Sequence, residues 1–136
     1  MDYFSNVCHT QLLHRVSHAR EQTGGRIGLT EEPLQIQVSR IHLSEDSSVG
    51  PHSHATKTVS FIGIVPPEVW IVLNGSVSAA LFDTDGSLLE EIVLIAGSVL
   101  ITFCGGHAIK HCSLNTELFE IKLGPYTGND KVMLGI

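Results

Sequence analysis

From residue 66 to residue 123 the chain is cut into short apolar runs by closely spaced turn residues, and this punctuation limits the fold more than any other feature. The runs are "EVWIVL", "SVSAALF", "LLEEIVLI", "SVLITF", "AIKHCS" and "ELFEIKL", separated or preceded by "PP", "NG", "DTDG", "AG", "GG" and "LNT". Each run is too short for a stable helix and rich in β-branched side chains, whereas the separators are residues that turn a chain cheaply. "KTVSFIGIV" just upstream has the same character. The span from Asp83 to Gly86 predicts a hairpin with a short loop, and Asn74-Gly75 a second turn or a bulge. With no helical segment after residue 30, the expected class is all-β, a sandwich or small barrel of antiparallel strands.

Upstream the periodicity changes. In "LQIQVSRIHL", Leu34, Ile36 and Val38 alternate with Gln35, Gln37 and Ser39, the pattern of a strand with one dry face. The phase slips at Arg40, so either a one-residue bulge or a strand break belongs there. In the first twenty residues Leu12, Leu13, Val16 and Ala19 form an apolar stripe that Gly24 and Gly25 terminate. That spacing predicts a short N-terminal helix with His14 and His18 one turn apart on its solvated side. The expected organisation is therefore a helical arm over residues 1–30 and a β-barrel domain over 31–136.

Hydrophobic residues make up 43% of the chain against 16% charged, which suits a packed core and not a disordered chain. The net charge of -6 gives no footprint for nucleic acid or an anionic membrane, so neither partner is expected. The opening residues lack a secretory pattern, and nowhere do eighteen apolar residues run together. Cys8, Cys104 and Cys112 have no C-x-x-C spacing, which fits free thiols in a reducing compartment. A cytoplasmic protein is the expectation.

Histidine is the compositional oddity, with eight in all. In "VGPHSHATK" His52 and His54 stand two apart, and on extended backbone both imidazoles project to one side. Glu68 opens the apolar run "EVWIVL"; a carboxylate there needs a partner, because burying it unpaired is costly. His107 follows the Gly-Gly turn of "GSVLITFCGGH". Three imidazoles and one carboxylate form a nitrogen–oxygen donor set suited to divalent iron, manganese, nickel, zinc or cobalt. Neutral imidazoles are required for ligation, so affinity would fall as pH drops through the histidine range.

Together "HSH" (52–54), "EVWIVLNG" (68–75) and "GSVLITFCGGH" (97–107) resemble the two motifs of the cupin superfamily, over roughly residues 34–126. The resemblance implies a double-stranded β-helix, a small barrel of two antiparallel sheets, with one metal held by His52, His54, Glu68 and His107. His111 occupies the closing position of the second motif, so the third imidazole is His107 or His111; the Gly-Gly turn favours His107. The ending "ELFEIKLGPYTGNDK" is similar to that of small single-domain cupins with a G-P-Y tail, some associated with sugar metabolism. It implies that Glu120 and Tyr126 stand near the site, making Tyr126, Glu120 and His111 the candidate acids and bases. The implied function is binding or conversion of a small oxygen-rich molecule, a sugar or carbonyl compound, by an isomerase, epimerase or dioxygenase. The alternative is a non-catalytic module that binds or senses a small ligand, and a further one uses barrel histidines as proton shuttles without metal. A homodimer is expected, because an open edge strand is commonly covered by a second copy.

Overall fold

A computed structural model describes residues 1–19, 25–58, 60, 63–125, 128 and 131–134. Two units are distinguished, Met1–Glu21 with Val65–Ile136, and Gln22–Ile64. Among the described residues every regular element is a β-strand, and every strand pairing is antiparallel.

In the first unit β1 (Asp2–Phe4), β2 (Leu12–Ser17), β8 (Val99–Thr102), β5 (Glu68–Asn74) and β10 (Glu117–Lys122) join a five-stranded sheet in the order β1-β2-β8-β5-β10. A three-stranded sheet has the order β7-β6-β9, from β7 (Leu88–Ile95), β6 (Ser76–Phe82) and β9 (Gly106–Cys112). The second unit contains one pair, β3 (Gly25–Gly28) with β4 (Ser39–His42).

The core of the first unit is drawn from both of its sheets. Val16, Trp70, Val72 and Leu100 from the five-stranded sheet pack with Val77, Ala79, Leu81 and Leu94 from the three-stranded one. Alternation makes this possible, since Trp70 and Val72, or Val77, Ala79 and Leu81, are spaced by two and share a face. Each fully buried leucine contributes about 1.5–3 kcal/mol over its exposed state, so this inner layer dominates the energetics of the fold.

Asn74-Gly75 is a corner and not a hairpin, because β5 and β6 belong to different sheets. Gly75 has a φ of 72°, and a Cβ there would stand 2.5 Å from Thr116 Oγ1 and 2.7 Å from Ser113 Oγ. Both the left-handed backbone and the crowding require glycine. The Asp83–Gly86 turn joins β6 to β7 as a tight hairpin, closed by Asp83 N–H donating to the Ser87 carbonyl at 2.8 Å.

The N-terminal helix is not formed. Its stripe lies on β2, which is hydrogen-bonded on one side to β1 and on the other to β8. Leu13 and Val16 lie on opposite faces of a strand buried on both, and such a strand produces the same closely spaced apolar residues as a helix. Pairing with a strand more than eighty residues away overrides the local pattern. In the second unit, the strand expected from Leu34 begins only at Ser39. Ahead of it the Gln37 side chain donates to the carbonyls of Glu31, Glu32 and Leu34, folding that stretch into turns. The described residues of "KTVSFIGIV" carry no strand, and its residues 59, 61 and 62 lie outside the described set.

Candidate functional site

The register of the five-stranded sheet builds the site. Cross-strand partners share a face, and His14, Thr102, Glu68 and Lys122 stand opposite one another across β2, β8, β5 and β10. The adjacent same-face row is Val16, Leu100, Trp70 and Glu120. Since Val16, Leu100 and Trp70 belong to the core, the inner apolar layer gives way to a polar row at one end of the sheet. His107 arrives from the three-stranded sheet, where it stands opposite Leu81 on that sheet's inner face.

His107 Nε2 lies 3.0 Å from Glu68 Oε1, each side chain 19% exposed. The Trp70 indole N–H donates to the same oxygen at 2.7 Å, and its ring meets the imidazole edge-on with centroids 4.4 Å apart. The hydrogen bond from His107 holds the Glu68 carboxyl below its usual range against the opposing effect of burial; the His107 charge, Trp70 and the Lys122 charge add to the lowering. Lys122 Nζ also sits 3.1 Å from Glu120 Oε1.

Behind this pair runs a buried chain. His107 Nδ1 is 2.9 Å from Thr102 Oγ1, which is 3.1 Å from His14 Nδ1; His14 Nε2 is 3.1 Å from the Phe82 carbonyl oxygen. His14 is 0% exposed. Burial lowers its pKa to about 4, with the Phe82 hydrogen bond acting in the other direction. The Gly-Gly turn ahead of His107 serves this packing: Gly105 has a φ of 78°, and a Cβ there would collide with the Phe82 carbonyl.

Of the residues expected from sequence, Glu68 and His107 are thus brought together. His52 and His54 lie in the second unit, both exposed, in a stretch without strand structure, where the strand geometry expected for them is absent. Their rings meet edge-on with centroids 5.2 Å apart, and His52 Nδ1 stands 2.9 Å from the Gly50 carbonyl. Glu120 is in the row beside Glu68 and pairs with Lys122. His111 is exposed opposite Ser78, beyond a register shift that puts it on the outer face from His107. Tyr126 lies outside the described residues. Among the described residues, no three His, Cys, Asp or Glu side chains form a group able to hold a metal ion.

Sequence reasoning misses His14, Thr102 and Trp70. His14 is buried and not, as expected, on a solvated helix face; His18, its expected companion there, bonds Ser98 Oγ at 2.9 Å. Reading "LLHRVS" as a strand would have found it, since His14 and Val16 then share a face. The comparisons with known proteins add no relative: no family model, curated protein or solved structure matches the chain.

Proposed function

We propose that the protein binds a divalent transition metal through Glu68 and His107, and that this centre binds or converts a small oxygen-rich molecule. The observation that carries the reading is the 3.0 Å separation of His107 Nε2 and Glu68 Oε1. Bonds of about 2.1 Å meeting near a right angle put two donors of one coordination sphere about 3.0 Å apart, so the pair stands at ligand spacing. His107 is also backed through Nδ1 by Thr102, as metal-binding imidazoles are backed by an acceptor.

A bound metal would polarise a carbonyl or hydroxyl oxygen of such a molecule. This chain's own residues do the rest. Trp70 and His107 fix the orientation of Glu68, and the apolar layer beneath them keeps water from their inner side. Glu120, tied to Lys122, supplies a carboxylate on the neighbouring strand as an acid or base. The test is elemental analysis of natively purified protein, followed by calorimetric titration with zinc or cobalt. Wild type binds one equivalent; Glu68→Gln and His107→Gln each bind more weakly. No binding by wild type, or undiminished binding by both Glu68→Gln and His107→Gln, overturns the reading.

A second reading has its own support. The Glu68–His107 pair is satisfied by a proton as well as by a metal, because an imidazolium N–H donates to a carboxylate at this distance. The centre would then be a metal-free acid–base pair acting on the same class of molecule. Ligand binding or turnover that survives exhaustive chelation favours it over the metal centre.

A further inference from the structure

Four strands end the sheets of the first unit, β1 and β10 in one and β7 and β9 in the other, and among the described residues each is paired on one side only. Such an edge offers backbone N–H and C=O groups to any extended chain, and short strands, bulges and charged side chains guard against it. β1 is short, β7 carries Glu90 and Glu91 side by side, and β9 changes register near Lys110. β10 is the less guarded edge. Its bulge lies at one end, between Glu117 and Leu118, and from Leu118 to Lys122 it keeps continuous register with β5. On the outer face it shows Phe119, 58% exposed, and Ile121, 43% exposed, beside Ile71 and the exposed Leu73 of β5. An apolar stripe that reaches an open edge is a contact surface in want of a partner.

Charge indicates which partner. Two copies related by a two-fold axis pair this strand with itself, antiparallel, and facing residues share a face of the sheet, so the axis passes through a residue position. An axis through Glu120 or Lys122 sets like charges together. Through Phe119 it sets Glu120 against Leu118 and Glu117 against Ile121, and through Leu118 it meets the bulge. Through Ile121 it sets Glu120 against Lys122 twice, once on either side of the axis. On the other face Ile121 then meets Ile121 and Phe119 meets Leu123, which keeps the apolar stripe together. The other edges lack this self-complementarity: β1 and β7 hold acids without a base, and β9 holds Lys110 and histidines without an acid.

We propose that the protein forms a two-fold homodimer in which β10 of one copy pairs with β10 of the other about Ile121, joining their five-stranded sheets into one. Lys122, which stands opposite Glu68 in its own sheet, then faces Glu120 of the second copy, so the polar row that holds Glu68 continues across the axis.

The experiment is sedimentation velocity of the full chain over a range of concentrations, with a chelator present so that association through metal does not count. The mass of one chain is expected to give way to that of two as concentration rises. Ile121→Lys sets like charges at the axis and raises the dissociation constant about tenfold or more, with the circular dichroism of the folded chain unchanged. Glu120→Lys and Lys122→Glu each weaken self-association by about tenfold. An equimolar mixture of those two variants recovers a heterodimer, because one copy then carries only cations and the other only anions at the facing positions. An ion pair confined to one chain gives no such recovery. A single-chain mass for wild type at every concentration overturns the proposal and leaves the edge to a strand of another protein. A dimer indifferent to Ile121→Lys, or a mixture that does not recover, overturns it as well. Should a charge variant fail to fold, the wild-type and Ile121→Lys results still decide.

Discussion

Asp83 and Glu68 are two carboxylates attached to the same pair of sheets, and their surroundings differ in one respect that separates scaffold from site. Asp83, 1% exposed, accepts on both oxygens: Ser5 Oγ at 2.7 Å, the Asn6 amide at 2.6 Å, the Thr84 amide at 2.6 Å, the Thr84 hydroxyl at 3.2 Å and a longer contact from the Val7 amide. Those donors come from the β1–β2 connection and the β6–β7 turn, so Asp83 clamps two loops and has no capacity left for a ligand. Glu68 receives Trp70 and His107 on Oε1, and among the described residues that pair of contacts leaves Oε2 for other use. A carboxylate with every lone pair used is architecture; one that is held firmly by one oxygen and keeps the other is equipped to bind something else.

The sharpest way to break that contrast is to remove Asp83. Asp83→Ala leaves the Ser5 hydroxyl and the Asn6 and Thr84 amides without their acceptor, and its fall in thermal midpoint is expected to exceed that of any single substitution at His14, Thr102 or Glu68. Burial pushes the Asp83 carboxyl up, but the Ser5, Thr84 and Asn6 hydrogen bonds outweigh it and bring the pKa down to about 2 from 3.8. With the folded value below the unfolded one, its contribution is complete above pH 3.8 and is lost as pH falls toward about 2. Acid unfolding curves should therefore lose slope in that window in Asp83→Asn. A midpoint unmoved in Asp83→Ala would show that the clamp holds nothing.

His14 comes next. Its folded pKa of about 4 lies below the free value of 6.5, so the folded state resists a proton that the unfolded chain accepts. Stability is full above pH 6.5 and declines as pH falls toward about 4, by about 3 kcal/mol in all, measurable as denaturant midpoints across that range. His14→Phe removes this slope, and by stranding Thr102 and the Phe82 carbonyl costs about 1–3 kcal/mol at neutral pH. A variant that keeps the wild-type slope would locate the titrating group elsewhere.

What the sequence discloses follows the same division between local and distant causes. The strands from Glu68 to Lys122 are legible because alternation and turn residues are local signals, and Glu68 and His107 stand out by their positions, one at a strand entrance and the other directly after the Gly105-Gly106 turn. The N-terminal segment reads as a helix because Leu12, Leu13 and Val16 suit a helical stripe and a doubly buried strand alike; only pairing with β1 and β8 decides between them. That ambiguity hides His14. Thr102 carries no signal at all, since its role depends on imidazoles 88 residues away and 5 residues away meeting on its hydroxyl. Trp70 counts as apolar core, which its ring is, while its N–H serves Glu68.

The smallest expected change in stability sharpens the comparison from the other side. In Glu68→Gln the amide oxygen still accepts from Trp70, and what is lost is a partly solvated ion pair, worth about 1 kcal/mol or less. The thermal midpoint should stay close to wild type, while zinc or cobalt affinity falls on the order of tenfold or more, since the carboxylate is a direct donor in the proposed centre. The two readouts must separate for Glu68 to differ in kind from Asp83. If Glu68→Gln unfolds as readily as Asp83→Ala, then Glu68 is a second clamp, its spare oxygen is incidental, and the polar row at the end of the sheet is scaffold throughout.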